Sequence, residues 1–290
     1  MEIQSICVCG AGTMGSGIAQ VAAQAGFHTL LFDMNREALH KAGASITGSM
    51  DKLVQKGKIT AGEKQNILER IHYTSDIQQC LADVFIEAII EKPAAKVALF
   101  NQLAELNHSD CIFATNTSSL SVTEIAAAVQ RPERVIGFHF FNPAPLMKLT
   151  EIVCTSYTAA VVLQATVQLA KQMGKLPVVC KDSPGFIVNR VARPYYIEAL
   201  RLVEEEKSHF AQIDSLLEST GFRMGPFRLM DLIGNDINYA VSCSVYEQMG
   251  RPERLKPSAI QKEKVEAGEL GRKTGSGYYD YGKPDQPANG

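Results

Sequence analysis

Several residues in this chain have types and spacings that could do chemistry. Gly10-Ala11-Gly12-Thr13-Met14-Gly15 has the form G-x-G-x-x-G. Glycines so placed allow a tight turn, close approach of a pyrophosphate to the backbone, and close strand–helix packing. The helix that follows then offers unpaired N–H groups to phosphate oxygens. Asp33 stands at the end of the next β-rich run, where an acid accepts hydrogen bonds from an adenosine ribose and repels a 2′-phosphate. The pattern points to a dinucleotide, NAD before NADP, with Arg36 nearby leaving some room for the extra phosphate.

His139 and Glu151 form a second constellation. His139 shares a strand face with Val135, Gly137 and Phe141; Glu151 shares one with Leu149 and Val153. A carboxylate on an apolar face is costly unless it is paired. A symmetric hairpin centred on residue 145 would set 139 opposite 151, and opposed side chains lie within about 5 Å. One reading is a His–Glu dyad, with the carboxylate fixing the imidazole tautomer and raising its basicity. The other is a core histidine beside a glutamate that leaves the sheet for solvent.

Three further groups stay open between a chemical and a plain reading. Asn116-Thr117-Ser118-Ser119 follows a strand, on the side where open α/β sheets bind ligands. Ser118 could donate to a substrate oxygen and Asn116 could face a nicotinamide, or the segment is a polar connection. Asn189 opens a helix after Pro184-Gly185 and is equally a common polar first-turn residue. Ser49, Lys52 and Lys56 share a helical face, with Lys58 close by. They would suit a phosphorylated ligand tail or simply a solvated surface.

The elements that must position these groups are readable. Strand-like runs at 3–9, 29–33, 84–90 and 111–115 alternate with helical patterns at 13–26, 35–56, 93–107 and 122–129. Such alternation predicts an α/β fold with a mainly parallel sheet covered on both faces. Pro93 suits a first helical position, and Ser121-Val122-Thr123-Glu124 has the capping-box form. Runs at 135–141 and 148–154 predict an appended antiparallel hairpin, followed by a helix near 158–173 and a strand near 175–180. Lys181-Asp182-Ser183-Pro184-Gly185 is a break signal. The expected domains are 1–183 and 184–290, the second all-helical to about Glu269. Residues 271–281 read as a turn plus a short strand.

Composition excludes other classes. With 290 residues, 46% hydrophobic and 21% charged, the chain is an ordinary globular one of about two domains. A net charge of −2 argues against nucleic acid as a partner. No apolar run approaches the ~20 residues of a membrane span. The start, Met1-Glu2-Ile3-Gln4, lacks the basic stretch of a signal peptide, and the end, Pro287-Ala288-Asn289-Gly290, carries no recognisable address. Seven cysteines without a C-x-x-C pair or zinc spacing suggest reduced thiols, no metal and a cytoplasmic protein.

Taken together, these residues resemble the L-3-hydroxyacyl-CoA dehydrogenase family, in its short bacterial 3-hydroxybutyryl-CoA dehydrogenase form. The resemblance covers essentially the whole chain. It rests on Asn116-Thr117-Ser118-Ser119-Leu120, on the run from Gly137 to Glu151, on the run from Asp182 to Arg190, on Met224-Gly225-Pro226, and on Lys273-Thr274-Gly275-Ser276-Gly277-Tyr278. It implies a Rossmann-type first domain binding NAD, a helical substrate and dimerisation domain, an acyl-CoA substrate and a homodimer. His139 then matches the catalytic histidine, Glu151 its carboxylate partner, and Ser118 the serine holding the reacting oxygen. Asn189 and Asn142 match positions shaping the same pocket. Glu91, Lys96, Asn116 and Lys273 match cofactor contacts, and Ser49 and Lys56 match contacts to CoA. Thr150 departs from the family, which commonly has an aliphatic residue there. Residues 221–236 are similar to members acting on 3-hydroxyadipyl-CoA, which leaves the acyl chain open. A dehydrogenase of a free hydroxy acid and a non-catalytic NAD-binding protein are the remaining rivals.

Overall fold

The structure is a computed structural model that describes residues 2–282; the terminal segment 287–290 lies outside the described residues. The chain divides into two compact units, 1–183 and 184–290.

In the first unit, β1 (Ser5–Cys9), β2 (His28–Phe32), β3 (Ile71–Thr74), β4 (Val84–Glu87), β5 (Ile112–Thr115), β6 (Val135–Phe140), β7 (Leu149–Cys154) and β8 (Leu176–Lys181) form one sheet. Its order is β3-β2-β1-β4-β5-β6-β7-β8. The first six positions are parallel, β7 runs antiparallel to β6, and β8 returns parallel to β7. The helices are α1 (Thr13–Gln24), α2 (Arg36–Gln55), α3 (Ala61–Glu69), α4 (Pro93–Leu106), α5 (Val122–Ala127) and α6 (Ala160–Gln172). The central strands are near-continuous apolar runs, as a sheet covered on both faces requires. Ile6, Val8, Leu31, Ile86, Ile112 and Ile136 build the core with Ile18 and Ala22 of α1. The chain switches direction between β1 and β4, so a crevice opens beyond their carboxyl ends, the usual place for a nucleotide.

The expected mainly parallel sheet with its appended hairpin is borne out. Two elements between 57 and 75 escaped the sequence reading. Helix α3 is short, but Thr60 and Glu63 close a full capping box at its start. Strand β3 is a four-residue edge strand with His72 and Tyr73 exposed, so it lacks an apolar alternation. Strand β4 stops at Glu87, three residues earlier than expected. The Glu87 carboxylate takes the N–H of Ile89 at 2.7 Å and turns the chain.

The second unit comprises α7 (Val188–Glu204), α8 (Phe210–Ser219), α9 (Pro226–Ile233), α10 (Asn235–Gln248) and α11 (Ala259–Glu266). Tyr196, Leu200, Ile213, Phe227, Met230 and Tyr278 form its core. Buried Asp214 caps α9 from outside, accepting from the N–H groups of Phe227 at 2.9 Å and Arg228 at 3.0 Å. The short strand expected within 271–281 is not formed. That stretch is a turn, Arg272–Thr274, with isolated bridges Gly271↔Ser276 and Ser276↔Asp280. The reason is Asp231, whose carboxylate takes the N–H groups of Tyr278 and Tyr279, both at 3.0 Å, and so removes them from any ladder. Among the described residues no helix is long and apolar enough to cross a membrane.

Candidate active site

The nucleotide turn follows β1. Gly10 has φ +107°, and a Cβ there would lie 2.5 Å from the Ala88 carbonyl oxygen; one on Gly15 would lie 1.7 Å from that of Gly10. Only glycine closes this turn. Gly12 differs, because a Cβ on it would meet nothing within 4 Å. It stands at the N-cap of α1, where no side chain caps the helix and no acidic residue occupies the first turn of Thr13 and Met14. Uncapped N–H groups and the positive end of the helix dipole therefore face open space, which fits a pyrophosphate. Asp33 braces the turn: it accepts from the N–H groups of Ala11 and Asn35, both at 2.8 Å.

Beyond the ends of β4 and β5 lies a buried charge network. Lys96, 1% exposed, reaches Glu87 at 2.6 Å and Glu91 at 3.0 Å. Glu87 also accepts from Thr115 Oγ1 at 2.7 Å. Burial raises the Glu87 carboxyl above its ordinary range despite Lys96. Burial opposes the charged form of Glu91 too, but Lys96 and the hydroxyl of Thr117 outweigh it and hold that carboxyl low. Glu91 also takes the N–H of Ser118 at 3.2 Å and the Ser119 hydroxyl at 3.2 Å. Glu87 and Thr117 had no part in the sequence-based site. The available signal was one glutamate inside the apolar run 84–90.

In the hairpin, Gly137 pairs with Val153, His139 with Glu151, and Phe140 with Thr150. His139 Nδ1 and Glu151 Oε2 are 2.8 Å apart, with side chains 7% and 1% exposed. A carboxylate only accepts, so Nδ1 donates and a neutral ring keeps its basic lone pair on Nε2. The Phe141 ring lies 4.6 Å from the imidazole, centroid to centroid. Asn116 Oδ1 accepts the N–H of Phe140 at 2.8 Å, tying the end of β5 to the residue after His139. The Thr150 hydroxyl is buried without a partner.

A groove of about 480 Å³ runs along α1 and α2, bordered by Gly12, Thr13, Lys41, Ser49 and Asn142. Lys56 is an exposed C-cap of α2 and is not part of its lining. The loop after β6 lies against α1, where a Cβ on Gly17 would stand 3.2 Å from Ala144 Cβ. Lys175, which sequence reasoning missed, pins that loop by donating to the carbonyls of Ala144 and Met147, at 2.5 and 2.9 Å. The remaining sites belong to the second unit. Asn189 lies in the first turn of α7, and its carbonyl accepts from Arg193 Nε at 2.9 Å. Lys273 Nζ holds both carboxylate oxygens of Asp236, at 2.6 and 2.7 Å.

The sheet order and glycine turn define a dinucleotide-binding domain of the Rossmann type. Residues 5–183 match the NAD binding domain of 3-hydroxyacyl-CoA dehydrogenase, and residues 185–281 match its C-terminal domain. The chain belongs to the 3-hydroxyacyl-CoA dehydrogenase family, whose members are NAD-dependent oxidoreductases. It is 47% identical to the 3-hydroxyadipyl-CoA dehydrogenase of Escherichia coli K12 over 97% of its own length, and spans 60% of that longer relative. It is 40% identical to a probable 3-hydroxybutyryl-CoA dehydrogenase of Bacillus subtilis, covering 97% of this chain and 98% of the relative. The crystal structure of the (S)-3-hydroxybutyryl-CoA dehydrogenase of Ralstonia eutropha is similar with a TM-score of 0.93 and 37% identity, over 97% of this chain and 100% of that one.

Proposed function

We propose that this chain oxidises an L-3-hydroxyacyl-CoA to the 3-ketoacyl-CoA, or runs the reverse, with NAD. His139 Nε2 takes the proton of the 3-hydroxyl, and the ring disperses the resulting charge toward Glu151. NAD, when bound, supplies the acceptor for the hydride leaving C3, and the products are 3-ketoacyl-CoA, NADH and a proton held on His139. Ser118 donates to the reacting oxygen; Asn142 and, from the helical unit, Asn189 are assigned to substrate binding. Gly10, Gly12, Thr13, Met14, Gly15 and Asp33 hold the adenosine diphosphate portion, Asn116 faces the nicotinamide side, and Glu91 and Lys273 are further cofactor contacts. Lys96, sealed behind two carboxylates, acts through Glu91. Ser49 and Lys56 receive the CoA moiety.

The buried His139–Glu151 hydrogen bond of 2.8 Å carries this reading. A neutral imidazole held in one tautomer by an acceptor-only partner is what general base catalysis needs, and it contributes typically 10²–10⁴-fold. The test is kcat/KM for acetoacetyl-CoA, longer 3-ketoacyl-CoAs and 3-ketoadipyl-CoA with NADH, beside the free acids. Turnover of thioesters alone supports the reading. Turnover of the free acids alone would move the chain to a hydroxy acid dehydrogenase, and no oxidation of NADH by any of them would make it a non-catalytic binder. The 47% identity to a 3-hydroxyadipyl-CoA dehydrogenase favours a second reading within the same chemistry, in which the acyl chain ends in a carboxylate. The protein is taken to be a cytoplasmic homodimer, and its seven free thiols suit a reducing compartment.

A further inference from the structure

The helical unit buries a cation without a counter-ion. Arg193 in α7 is 3% exposed. Its partners are neutral: Nε donates to the Asn189 carbonyl at 2.9 Å, and Nη1 to the Asn238 carbonyl at 3.0 Å and the Ser242 hydroxyl at 2.8 Å. The guanidinium also stands over the Tyr196 ring, 4.9 Å from its centroid. Among the described residues no carboxylate lies within ion-pair distance, and burial pushes this guanidinium down to about 10. An isolated buried charge is costly, so a cation kept this way calls for an anion from elsewhere.

Among the described residues one nitrogen of this guanidinium and one neighbouring amide have nothing to bond. Arg193 Nη2 makes no hydrogen bond among the described residues. It is not among the sealed orphan atoms, so it keeps an opening to the outside. Asn238 Nδ2 is sealed and without a partner. Its amide is oriented as a donor, because Oδ1 accepts from Gln261 Nε2 at 3.1 Å. A planar carboxylate accepts from the N–H groups of a guanidinium, which matches its geometry best of all side chains.

The position suits a substrate end. Arg193 follows Asn189 by four residues on one face of α7, about 6 Å along the axis. Three carbon–carbon bonds of ~1.5 Å carry a chain about 4 Å from C3 to C6. We propose that Arg193, through Nη2, is the receptor for a terminal carboxylate on the acyl chain, making this chain selective for 3-hydroxydicarboxylyl-CoA thioesters of about six carbons. The proposal rests on the reading that places Asn189 at the substrate.

The test compares 3-ketoadipyl-CoA with 3-ketohexanoyl-CoA, which has the same length but no carboxylate, using the full chain and NADH. The wild type is expected to favour the dicarboxylyl thioester in kcat/KM by at least about tenfold. Arg193→Met should bring that ratio close to one, mainly through KM, and Arg193→Lys should restore part of it. Asn238→Asp keeps the arginine and supplies an internal counter-ion. It should also abolish the preference while raising the thermal midpoint, which covers the case in which Arg193→Met does not fold. A wild-type ratio near one, or variants that keep the wild-type ratio, would overturn the receptor. So would variants that alter both thioesters equally while shifting the oligomeric state, since the counter-ion would then belong to a second copy. If neither thioester oxidises NADH, it is the dehydrogenase reading that fails, and the receptor with it.

Discussion

Glu87 and Glu151 both end up buried on strands of one sheet, at β4 and at β7, and they are neutralised in different ways. Glu87 is saturated by Lys96, Thr115 and the Ile89 N–H. Lys96 in turn is shared with Glu91, so the cluster is a brace across the ends of β4 and β5. Glu151 meets an imidazole at 2.8 Å, which on the proposed reading takes the substrate proton. Burial of a carboxylate therefore does not mark the chemistry; the partner does. A lysine partner makes a strut, and a histidine partner makes a place where a proton can rest.

Breaking the strut should cost the most. Lys96→Met leaves the buried Glu87 carboxylate without its cation, and we expect a loss of about 3–5 kcal/mol in denaturant unfolding. An unchanged midpoint would mean that Lys96 is no brace. Glu151→Gln should invert the pattern. Its amide can donate as well as accept, so the ring loses its fixed tautomer and turnover falls on the order of 10²-fold, about 2.7 kcal/mol of barrier. Stability should fall far less than for Lys96→Met, and the pH–rate profile should move; normal turnover with collapsed stability would make Glu151 another strut. Smaller still is the opposite face of β7. Thr150→Val removes an orphaned buried hydroxyl and should stabilise the protein by about 1 kcal/mol in the same assay. A loss of stability there would show that the hydroxyl has a partner. The smallest effect lies in the acid limb of stability. Glu91 is held below its ordinary value of 4.5, so its contribution is present above that value and fades as pH falls through the lowered one. Glu91→Gln should flatten the fall of the melting temperature as pH drops below 4.5; an unaltered slope would remove Glu91 from the network.

Sequence reasoning succeeded where a period or a symmetric spacing carried the information. The β1–α1 turn follows from its glycines. The 139–151 pairing follows from a hairpin centred on 145, and the structure has that register. It did not reach groups whose partners are backbone carbonyls or lie across a turn. Lys175 and Arg193 leave no signature, because a carbonyl has no residue type. The partnership of Glu87 and Lys96 spans the loop between β4 and α4, a distance that neither helical nor strand period encodes. Edge strand β3 and helix α3 were missed because their burial is too slight to impose a pattern. The strand expected near the end gave way to Asp231, a single carboxylate that outcompetes a ladder for two N–H groups.

The central claim is that the imidazole held by Glu151 moves the substrate proton. The most direct measurement is turnover of acetoacetyl-CoA with NADH by His139→Gln, alongside the variant's affinity for NAD. A loss of about 10²–10⁴-fold, or about 3–5 kcal/mol of barrier, is expected, with NAD affinity unchanged. Turnover close to that of the unaltered protein would contradict it.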